Sequence, residues 1–159
     1  MISDSDVDPS RKAVKISRII SNMQSAFDAI TNCKIPVIVC INGICLGGAI
    51  DMITSCDIIY CDNTSTFSIK EVDIGMTPDL GTINRLTHTS KNHSLLKELT
   101  LTGRNFGSST AKEIGLVSKT FKTKKEMMNE ANQLALEISK KSPTAIYSIK
   151  KVFNFHKSI

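Results

Sequence analysis

The sequence is poor in aromatic residues and has no long apolar run. Phe, Tyr and Trp make up 5% of its 159 residues, and no basic stretch carries interleaved rings, which argues against a nucleic-acid-binding surface. No apolar stretch approaches the ~18–20 residues that cross a bilayer, so a membrane bundle is excluded. With 41% hydrophobic and 22% charged residues, the composition predicts a folded globular domain.

The net charge is modest, and its pattern is diffuse. Twenty Lys and Arg against fifteen Asp and Glu leave a formal charge of +5. The excess is mostly lysine spread along the chain, which we interpret as a solvated surface. Such a surface would also suit an anionic ligand, for example a phosphorylated one.

The cysteines number five, so they cannot all pair within the chain. Their C-x4-C spacings are looser than a zinc knuckle, and all five have apolar surroundings, which predicts buried reduced thiols, no metal site and a reducing compartment. The acidic segment after Met1 lacks an apolar core, so no signal or transit peptide is predicted. The cysteines are Cys33, Cys40, Cys45, Cys56 and Cys61.

Periodicity and capping signals predict a layered α/β architecture. Residues 1–12 are polar and predict a loop or frayed terminus. The predicted helices cover 14–30, 47–54, 91–102, 108–114, 124–141 and the segment from 143 onwards. The predicted strands cover 36–41, 58–61, 66–69 and 116–121, the first of them buried on both faces. Three or four short strands would make a thin sheet, and residues 70–82 are expected to form a loop.

A glycine-rich turn between a strand and a helix is the first candidate for chemistry. Gly47 and Gly48 open the helix that follows the strand at 36–41. Unpaired N–H groups and the helix dipole at such a terminus can bind an anion or a developing oxyanion. The pattern is not G-x-G-x-x-G, so a nucleotide loop is not predicted. The alternative is that the glycines only permit close helix–strand packing.

Three carboxylates form the second candidate. Asp51 lies in the first turns of the glycine-opened helix, Glu71 follows the strand at 66–69, and Asp79 lies in a loop rich in Gly and Pro. We expect these positions to meet at one edge of the sheet. Neighbouring carboxylates in an apolar pocket can divide into a protonated acid and an ionised base. For each residue alone, a solvated loop charge or a helix cap remains the alternative.

Taken together, residues 34–86 resemble the crotonase (enoyl-CoA hydratase/isomerase) superfamily. The similarity lies in three runs, includes Cys56-Asp57-Ile58-Ile59-Tyr60-Cys61 between the second and the third, and continues through Arg85-Leu86 and over residues 100–121 and 140–143. It is nearest to the Δ3,5-Δ2,4-dienoyl-CoA isomerase branch, because an acid stands at Asp79, where hydratases commonly have Gly. The runs are Lys34-Ile35-Pro36-Val37-Ile38, Gly43-Ile44-Cys45-Leu46-Gly47-Gly48-Ala49-Ile50-Asp51 and Lys70-Glu71-Val72-Asp73-Ile74-Gly75-Met76-Thr77-Pro78-Asp79-Leu80-Gly81-Thr82.

The resemblance implies a set of residue roles. The Gly48 N–H, with Gly47 beside it, would supply one half of an oxyanion hole for a thioester carbonyl. Asp79 would take a proton from C2 of a 3,5-dienoyl-CoA, Glu71 would protonate C6, and Asp51 would assist that pair. Coenzyme A would enter as part of the fatty acyl-CoA substrate, and no separate cofactor or metal is implied.

The resemblance also implies a partial ClpP/crotonase-like layered fold. Residues 1–123 would form its α/β part and residues 124–159 its helical C-terminal part, without the family's N-terminal strands and closing helices. Family members suggest a homo-oligomer, a trimer or hexamer, in mitochondria or peroxisomes, although neither terminus carries a recognisable address. Two other functions stay open: an enoyl-CoA hydratase in which Asp51 and Glu71 activate water, and a non-catalytic subunit of a family oligomer.

Overall fold

The computed structural model describes residues 8–155. The predictions for the segment after Met1 and for the C-terminal address at 156–159 lie outside these residues. Seven α-helices and six short strands are described: α1 Pro9–Thr31, β1 Ile38–Ile41, β2 Ile44–Leu46, α2 Gly48–Thr54, β3 Ile58–Asp62, β4 Thr66–Ser68, α3 Thr82–Thr89, α4 His93–Thr102, β5 Phe106–Gly107, α5 Ser108–Glu113, β6 Lys119–Phe121, α6 Lys124–Ser139 and α7 Pro143–Phe155. A 3-10 helix at Glu71–Ile74 lies between β4 and α3.

The strands form two three-stranded sheets, not the single thin sheet that the sequence predicted. The first sheet has the order β1-β3-β6 with all strands parallel, and the second has the order β2-β4-β5. In the second sheet β2 and β4 are parallel, whereas β5 runs antiparallel to β4. The chain therefore passes twice from the first sheet to the second, once from β1 to β2 and once from β3 to β4.

The buried carboxylate of Asp62 holds the β1–β2 and β3–β4 connections next to each other. Asp62 accepts hydrogen bonds from the side-chain amide of Asn42 and from Thr64 and Ser65. The backbone N–H of Thr66 donates to the carbonyl of Gly43 at 2.9 Å, next to the point where Gly43 adopts a φ of 93°. A positive φ of this kind is open to glycine at little cost, so the chain can turn sharply and remain in extended structure on both sides.

The first sheet separates two hydrophobic clusters. Val39, Ile41 and Ile59 face the larger cluster, which also contains the second sheet and helices α2 to α5. Ile38, Cys40, Ile58 and Tyr60 face the smaller cluster, where Met127 and Ala131 of α6 pack against them. The prediction that this strand is buried on both faces holds only in part: both faces pack against apolar clusters, but residues 38–40 are half-buried.

All five thiols are free in the structure, but the prediction that all five are buried is wrong for Cys33 and Cys40. Cys45, Cys56 and Cys61 are buried, and Cys33 and Cys40 are half-buried. Burial raises the pKa of both Cys45 and Cys61 to about 11. These thiols act as small apolar side chains in the core.

Helix α1 lies along the outside of the fold. It begins at Pro9, where proline's fixed φ suits a first helical position, so the predicted loop over residues 9–12 is wrong. None of its side chains is fully buried. Within residues 8–155, no helix combines the length and hydropathy required to cross a membrane.

A buried lysine holds α7 against the end of α1. Lys150 is 6% exposed and donates to Asp57 Oδ2 at 2.7 Å and to the carbonyl of Ile35 at 3.0 Å, with a longer contact to Ile30. The ammonium group thus satisfies carbonyls near the α1–β1 connection.

Candidate active site

The glycine turn brings the start of α2 next to the end of β4. The N–H of Gly47 donates to the carbonyl of Ser68 at 2.9 Å, and Gly47 has a φ of 54°. Gly48 is the first residue of α2, is exposed, and has no neighbouring atom within 4 Å of the position a Cβ would occupy. Because the first N–H groups of a helix lack intrahelical acceptors, this end of α2 is open to an incoming oxyanion.

Glu71 lies directly over this turn. Its Oε1 is 3.4 Å from the position that a Cβ on Gly47 would take, which places the carboxyl group at van der Waals distance from the turn. Its Oε2 is buried and finds no hydrogen-bond partner among residues 8–155. Burial raises the pKa of Glu71, its backbone N–H opposes that shift, and the charges of Asp51 and Asp79 raise the pKa further. The raised pKa shifts Glu71 toward its protonated form compared with an ordinary glutamate.

Asp51 is buried behind Glu71 and holds the start of α3. Its Oδ1 accepts the backbone N–H of Thr82 at 2.9 Å and the Thr82 hydroxyl at 2.6 Å. It is 1% exposed. A carboxylate that accepts the first N–H of a helix satisfies an otherwise unpaired donor and lies at the positive end of the helix dipole. The cap alternative raised for the acids thus applies to Asp51.

Asp79 lies at the surface, in the turn that precedes α3. Its backbone N–H donates to the carbonyl of Thr77 at 2.8 Å, and its own carbonyl accepts the side-chain amide of Gln24 from α1 at 2.8 Å. Its carboxylate is near enough to Glu71 to raise that residue's pKa. The structure thus brings the three predicted carboxylates together, with Glu71 between Asp51 on the buried side and Asp79 on the exposed side.

The surroundings of Glu71 and Asp79 are apolar but open. Between the two acids, Ile74 is 73% exposed and Met76 is 53% exposed, and Val72 is also exposed. The sequence predicted acids in an apolar pocket, whereas in the described residues this apolar surface faces solvent. The chemistry predicted for the acids depends on an apolar ligand or a further protein surface covering these side chains.

Arg85 is a feature of the site that the sequence analysis did not single out. Its guanidinium is buried beneath the loop that carries Asp79, at 8% exposure. It donates to the Thr54 hydroxyl at 3.1 Å and, at 3.0 Å each, to the carbonyls of Asp51 and Leu80. Burial lowers the pKa of Arg85, and the charges of Asp51, Asp28 and Cys56 oppose that shift.

The sequence carries a faint signal for this arginine. Gly81, four residues earlier, has a φ of 112°, and a Cβ there would lie 2.5 Å from Cζ of Arg85. A glycine four residues before an arginine allows the backbone to pass close to the guanidinium. Such a spacing is common in sequences, so it does not by itself predict the contact between Gly81 and Arg85.

Taken together, the geometry provides the parts of a proton-transfer site. Glu71 offers a carboxyl group with a raised pKa, Asp79 offers a second carboxylate at the surface, and the start of α2 offers N–H groups where negative charge can develop. These parts resemble what acid–base chemistry next to a carbonyl requires. No comparable arrangement of nucleophile and histidine base was predicted from the sequence.

Comparison with known proteins identifies the class to which this arrangement belongs. The family model described as enoyl-CoA hydratase/isomerase matches residues 10–158. The chain belongs to the enoyl-CoA hydratase/isomerase family. The predicted crotonase-type fold is confirmed by solved neighbours. One of them is a methylmalonyl-CoA decarboxylase in complex with 2S-carboxypropyl-CoA, with a TM-score of 0.79 and 30% identity, covering 86% of this chain and 51% of that one.

Among curated proteins, the chain is similar to dienoyl-CoA isomerases. It is 45% identical over 150 residues to the peroxisomal Δ(3,5)-Δ(2,4)-dienoyl-CoA isomerase of Arabidopsis thaliana, covering 94% of this chain and 54% of that protein. It is 43% identical over 143 residues to the mitochondrial enzyme of that name from Rattus norvegicus, covering 90% and 44%. The chain thus spans about half the length of the curated relatives it matches.

Proposed function

We propose that the chain carries the proton-transfer site of a Δ3,5-Δ2,4-dienoyl-CoA isomerase. The observation that carries the proposal is the grouping of Asp51, Glu71 and Asp79 beside the open start of α2, with the pKa of Glu71 raised by burial and by its two acidic neighbours. The similarity to isomerases of this name supports the choice of substrate class.

In the proposed reaction the two double bonds of a 3,5-dienoyl-CoA move together. Asp79, as carboxylate, removes a proton from C2, and the C2–H electron pair forms the C2–C3 double bond. The C3–C4 pair shifts to C4–C5, and the C5–C6 pair takes the proton of Glu71 at C6. Negative charge that develops on the thioester oxygen is stabilised by the Gly48 N–H at the start of α2. Proton exchange with water then restores Asp79 and Glu71.

Each acid's surroundings suit its proposed role. Glu71 must arrive protonated, and its raised pKa favours that form. Asp79 must be ionised, and it is the exposed member of the group, where water solvates the charge. The exposed apolar side chains at Ile74 and Met76 would contact the fatty acyl chain. Coenzyme A is part of the substrate in this proposal, and no further cofactor takes part.

The cellular setting belongs to the same proposal. Relatives of this chain are named as peroxisomal or mitochondrial isomerases, so we place the activity in an organelle that oxidises fatty acids. We also propose a homo-oligomer, a trimer or hexamer, because the exposed apolar side chains of the site and of α1 need a covering surface.

Spectrophotometry with a 3,5-dienoyl-CoA tests the proposal, because the 2,4-dienoyl product is conjugated with the thioester and absorbs at longer wavelength. We expect Asp79→Asn to lower kcat by about 10²–10⁴-fold, the usual contribution of a positioned general base. In deuterated water the product should carry deuterium at C6. The matched control is Asp73→Asn, an exposed acid paired with Lys70 in the neighbouring 3-10 helix, which should leave kcat unchanged.

Full activity of Asp79→Asn would refute the isomerase mechanism. Hydration of crotonyl-CoA that is unaffected by Asp79→Asn would instead favour the hydratase hypothesis. The structure gives that hypothesis less support, because Oδ1 of Asp51 already accepts two hydrogen bonds from Thr82. A chain that binds no acyl-CoA in calorimetry and co-assembles with a full-length relative would favour the non-catalytic subunit.

A further inference from the structure

The loop that carries Asp79 has few anchors. Between the 3-10 helix and α3, most of residues 75–81 are exposed, although Pro78 is buried. The carbonyl of Asp79 accepts a hydrogen bond from Gln24, and the next carbonyl, that of Leu80, accepts one from Arg85. The position of the Asp79 carboxylate therefore depends on two side-chain donors, which hold the two backbone carbonyls that follow it.

Arg85 is the anchor that also reaches the helix bearing Asp51. The same Nη2 that donates to Leu80 donates to the carbonyl of Asp51, and Nε donates to Thr54 one turn further along α2. A planar guanidinium can hold several acceptors in fixed relative positions, which a single ammonium point charge cannot do. Arg85 thus joins the Asp79 loop and α2 through one rigid group.

The loop backbone is shaped around this guanidinium. Gly81 has a φ of 112°, and any Cβ at that position would overlap Arg85, with Nη2 only 2.6 Å away. The next residue, Thr82, donates both of its hydrogen bonds to Asp51. Residues 80 and 81 therefore cross directly over the Arg85 guanidinium, and α3 begins at the next residue, Thr82.

The contacts of Arg85 fit a geometric role better than a stabilising ion pair. Its acceptors are two carbonyls and one hydroxyl, and within residues 8–155 it has no carboxylate oxygen within 4 Å. A buried cation without a directly paired anion gains little net stability from its charge. Its three hydrogen bonds instead determine where neighbouring backbone segments lie.

We propose that Arg85 is a positioning residue, which holds the Asp79 loop against α2 so that the Asp79 carboxylate and Glu71 keep the separation that proton transfer needs. This proposal rests on the proposed function in one respect only: its kinetic consequence assumes isomerase activity. Its structural consequence, the ordering of residues 76–85 by the guanidinium, can be measured without any substrate.

The experiment compares Arg85→Lys and Arg85→Met with a matched control. Lysine keeps the charge but cannot bridge three acceptors, and methionine keeps much of the apolar volume in case the cationic variant does not fold. The control is Lys150→Met, which removes another buried cation that donates to carbonyls but lies against Asp57, at the other end of α2. Thermal unfolding of all three variants checks that they lose similar amounts of stability.

Hydrogen–deuterium exchange is the first readout. We expect both Arg85 variants to raise exchange of the segment 76–85 by about tenfold or more, as local opening does, while β3 at Ile58–Asp62 keeps its protection. The Lys150→Met variant should leave the segment 76–85 unchanged. If the Arg85 variants exchange there at the wild-type rate, the positioning role is refuted, whether or not the chain is an isomerase.

Steady-state kinetics is the second readout. Misplacement by about 1 Å can cost on the order of 10²-fold in rate, so we expect kcat to fall by that amount in both Arg85 variants. We expect KM to change less than about twofold, since the guanidinium is buried away from the substrate. Restoration of wild-type kcat by lysine, or an equal loss in Lys150→Met, would overturn the proposal. A wild-type chain without isomerase activity would refute the proposed function and leave the exchange result to decide the role of Arg85.

Discussion

The capping of α3 by Asp51 leads to a graded prediction for stability. In Asp51→Ala the Thr82 N–H and hydroxyl both lose their acceptor, although both are buried. Hydrogen bonds to charged groups contribute about 1.5–3 kcal/mol each, so we expect the free energy of unfolding to fall by about 3–5 kcal/mol. That is a large part of the total stability of a domain of this size, which is about 5–15 kcal/mol.

Two milder variants should each lose only part of this free energy of unfolding. Thr82→Val removes only the hydroxyl donor and keeps the side-chain shape, so the expected cost is about 1.5–3 kcal/mol. Asp51→Asn keeps an acceptor oxygen but makes both hydrogen bonds neutral, and neutral bonds are about half as strong as charge-assisted ones. Its expected cost is therefore about 1.5–2.5 kcal/mol.

Urea unfolding measures the series, with a shift of the midpoint at an unchanged slope. The control is Asp73→Ala, which removes an exposed carboxylate paired with Lys70 and should cost no more than about 1 kcal/mol. If Thr82→Val unfolds within about 0.5 kcal/mol of the wild type, or if Asp51→Ala is no worse than Asp73→Ala, then Asp51 does not hold α3 and our description of its role is wrong.

Three further predictions concern other parts of the chain. Burial raises the pKa of Glu71 in the folded state above its ordinary value of 4.5. The stability that the protonated side chain contributes is therefore complete below pH 4.5 and is lost as the pH rises through the folded-state pKa. Glu71→Gln should therefore raise Tm at pH 7 and bring no gain near pH 4, and an equal gain at both would contradict this sign. Gly115→Ala should cost about 1–2 kcal/mol, since Gly115 has a φ of 76° and a Cβ there would lie 3.0 Å from the Thr89 carbonyl oxygen; an unchanged urea midpoint would count against it. Lys150→Met should cost about 2–3 kcal/mol, because it removes the ammonium donor from the carbonyls of Ile30 and Ile35 and from Asp57, which keeps only the Val37 N–H; a loss confined to α7 in hydrogen exchange would contradict its role in joining α7 to α1.

Elements with a strong local pattern could be predicted from the sequence. The β-branched run at 36–41 contains β1, the apolar periodicity at 124–141 contains α6, and Pro143 begins α7 as expected. These signals depend on neighbours within one or two turns of chain, so tertiary contacts do not override them. The helix predicted over 91–102 likewise begins at His93, after the Asn92 side chain accepts the N–H of Leu95.

Of the second sheet, only β4 could be predicted, by the strand expected at 66–69. β2 has three residues and β5 has two, too few to show a period, and both gain their pairing from β4, which is distant in sequence. The sequence does not reveal that extended structure continues after Gly43 into a different sheet. The helix at Thr82–Thr89 was also missed, since its first turn is fixed by the distant Asp51.

For the candidate site, residue type was predictable and surroundings were not. The carboxylates at 51, 71 and 79 could be chosen because acids follow the strand ends and the glycine turn. Two features depend on atoms that only the fold brings together: Asp51 accepts hydrogen bonds from Thr82, and one oxygen of Glu71 has no partner in the part of the chain that the structure describes. Arg85 was missed because its burial requires the bare backbone of Gly81 above it, a condition that no local pattern expresses.

The exposed apolar segment between Glu71 and Asp79 has a consequence for how related proteins can differ in sequence. Ile74 and Met76 are exposed and contribute little to the packed interior, so replacing them costs the fold little, whereas the Asp79 loop is held by Gln24 and Arg85. Under the proposed function, substitutions at these two positions would change which acyl chains are accepted and leave the carboxylates in place. A library randomised only there should yield mostly foldable proteins with altered chain-length preference.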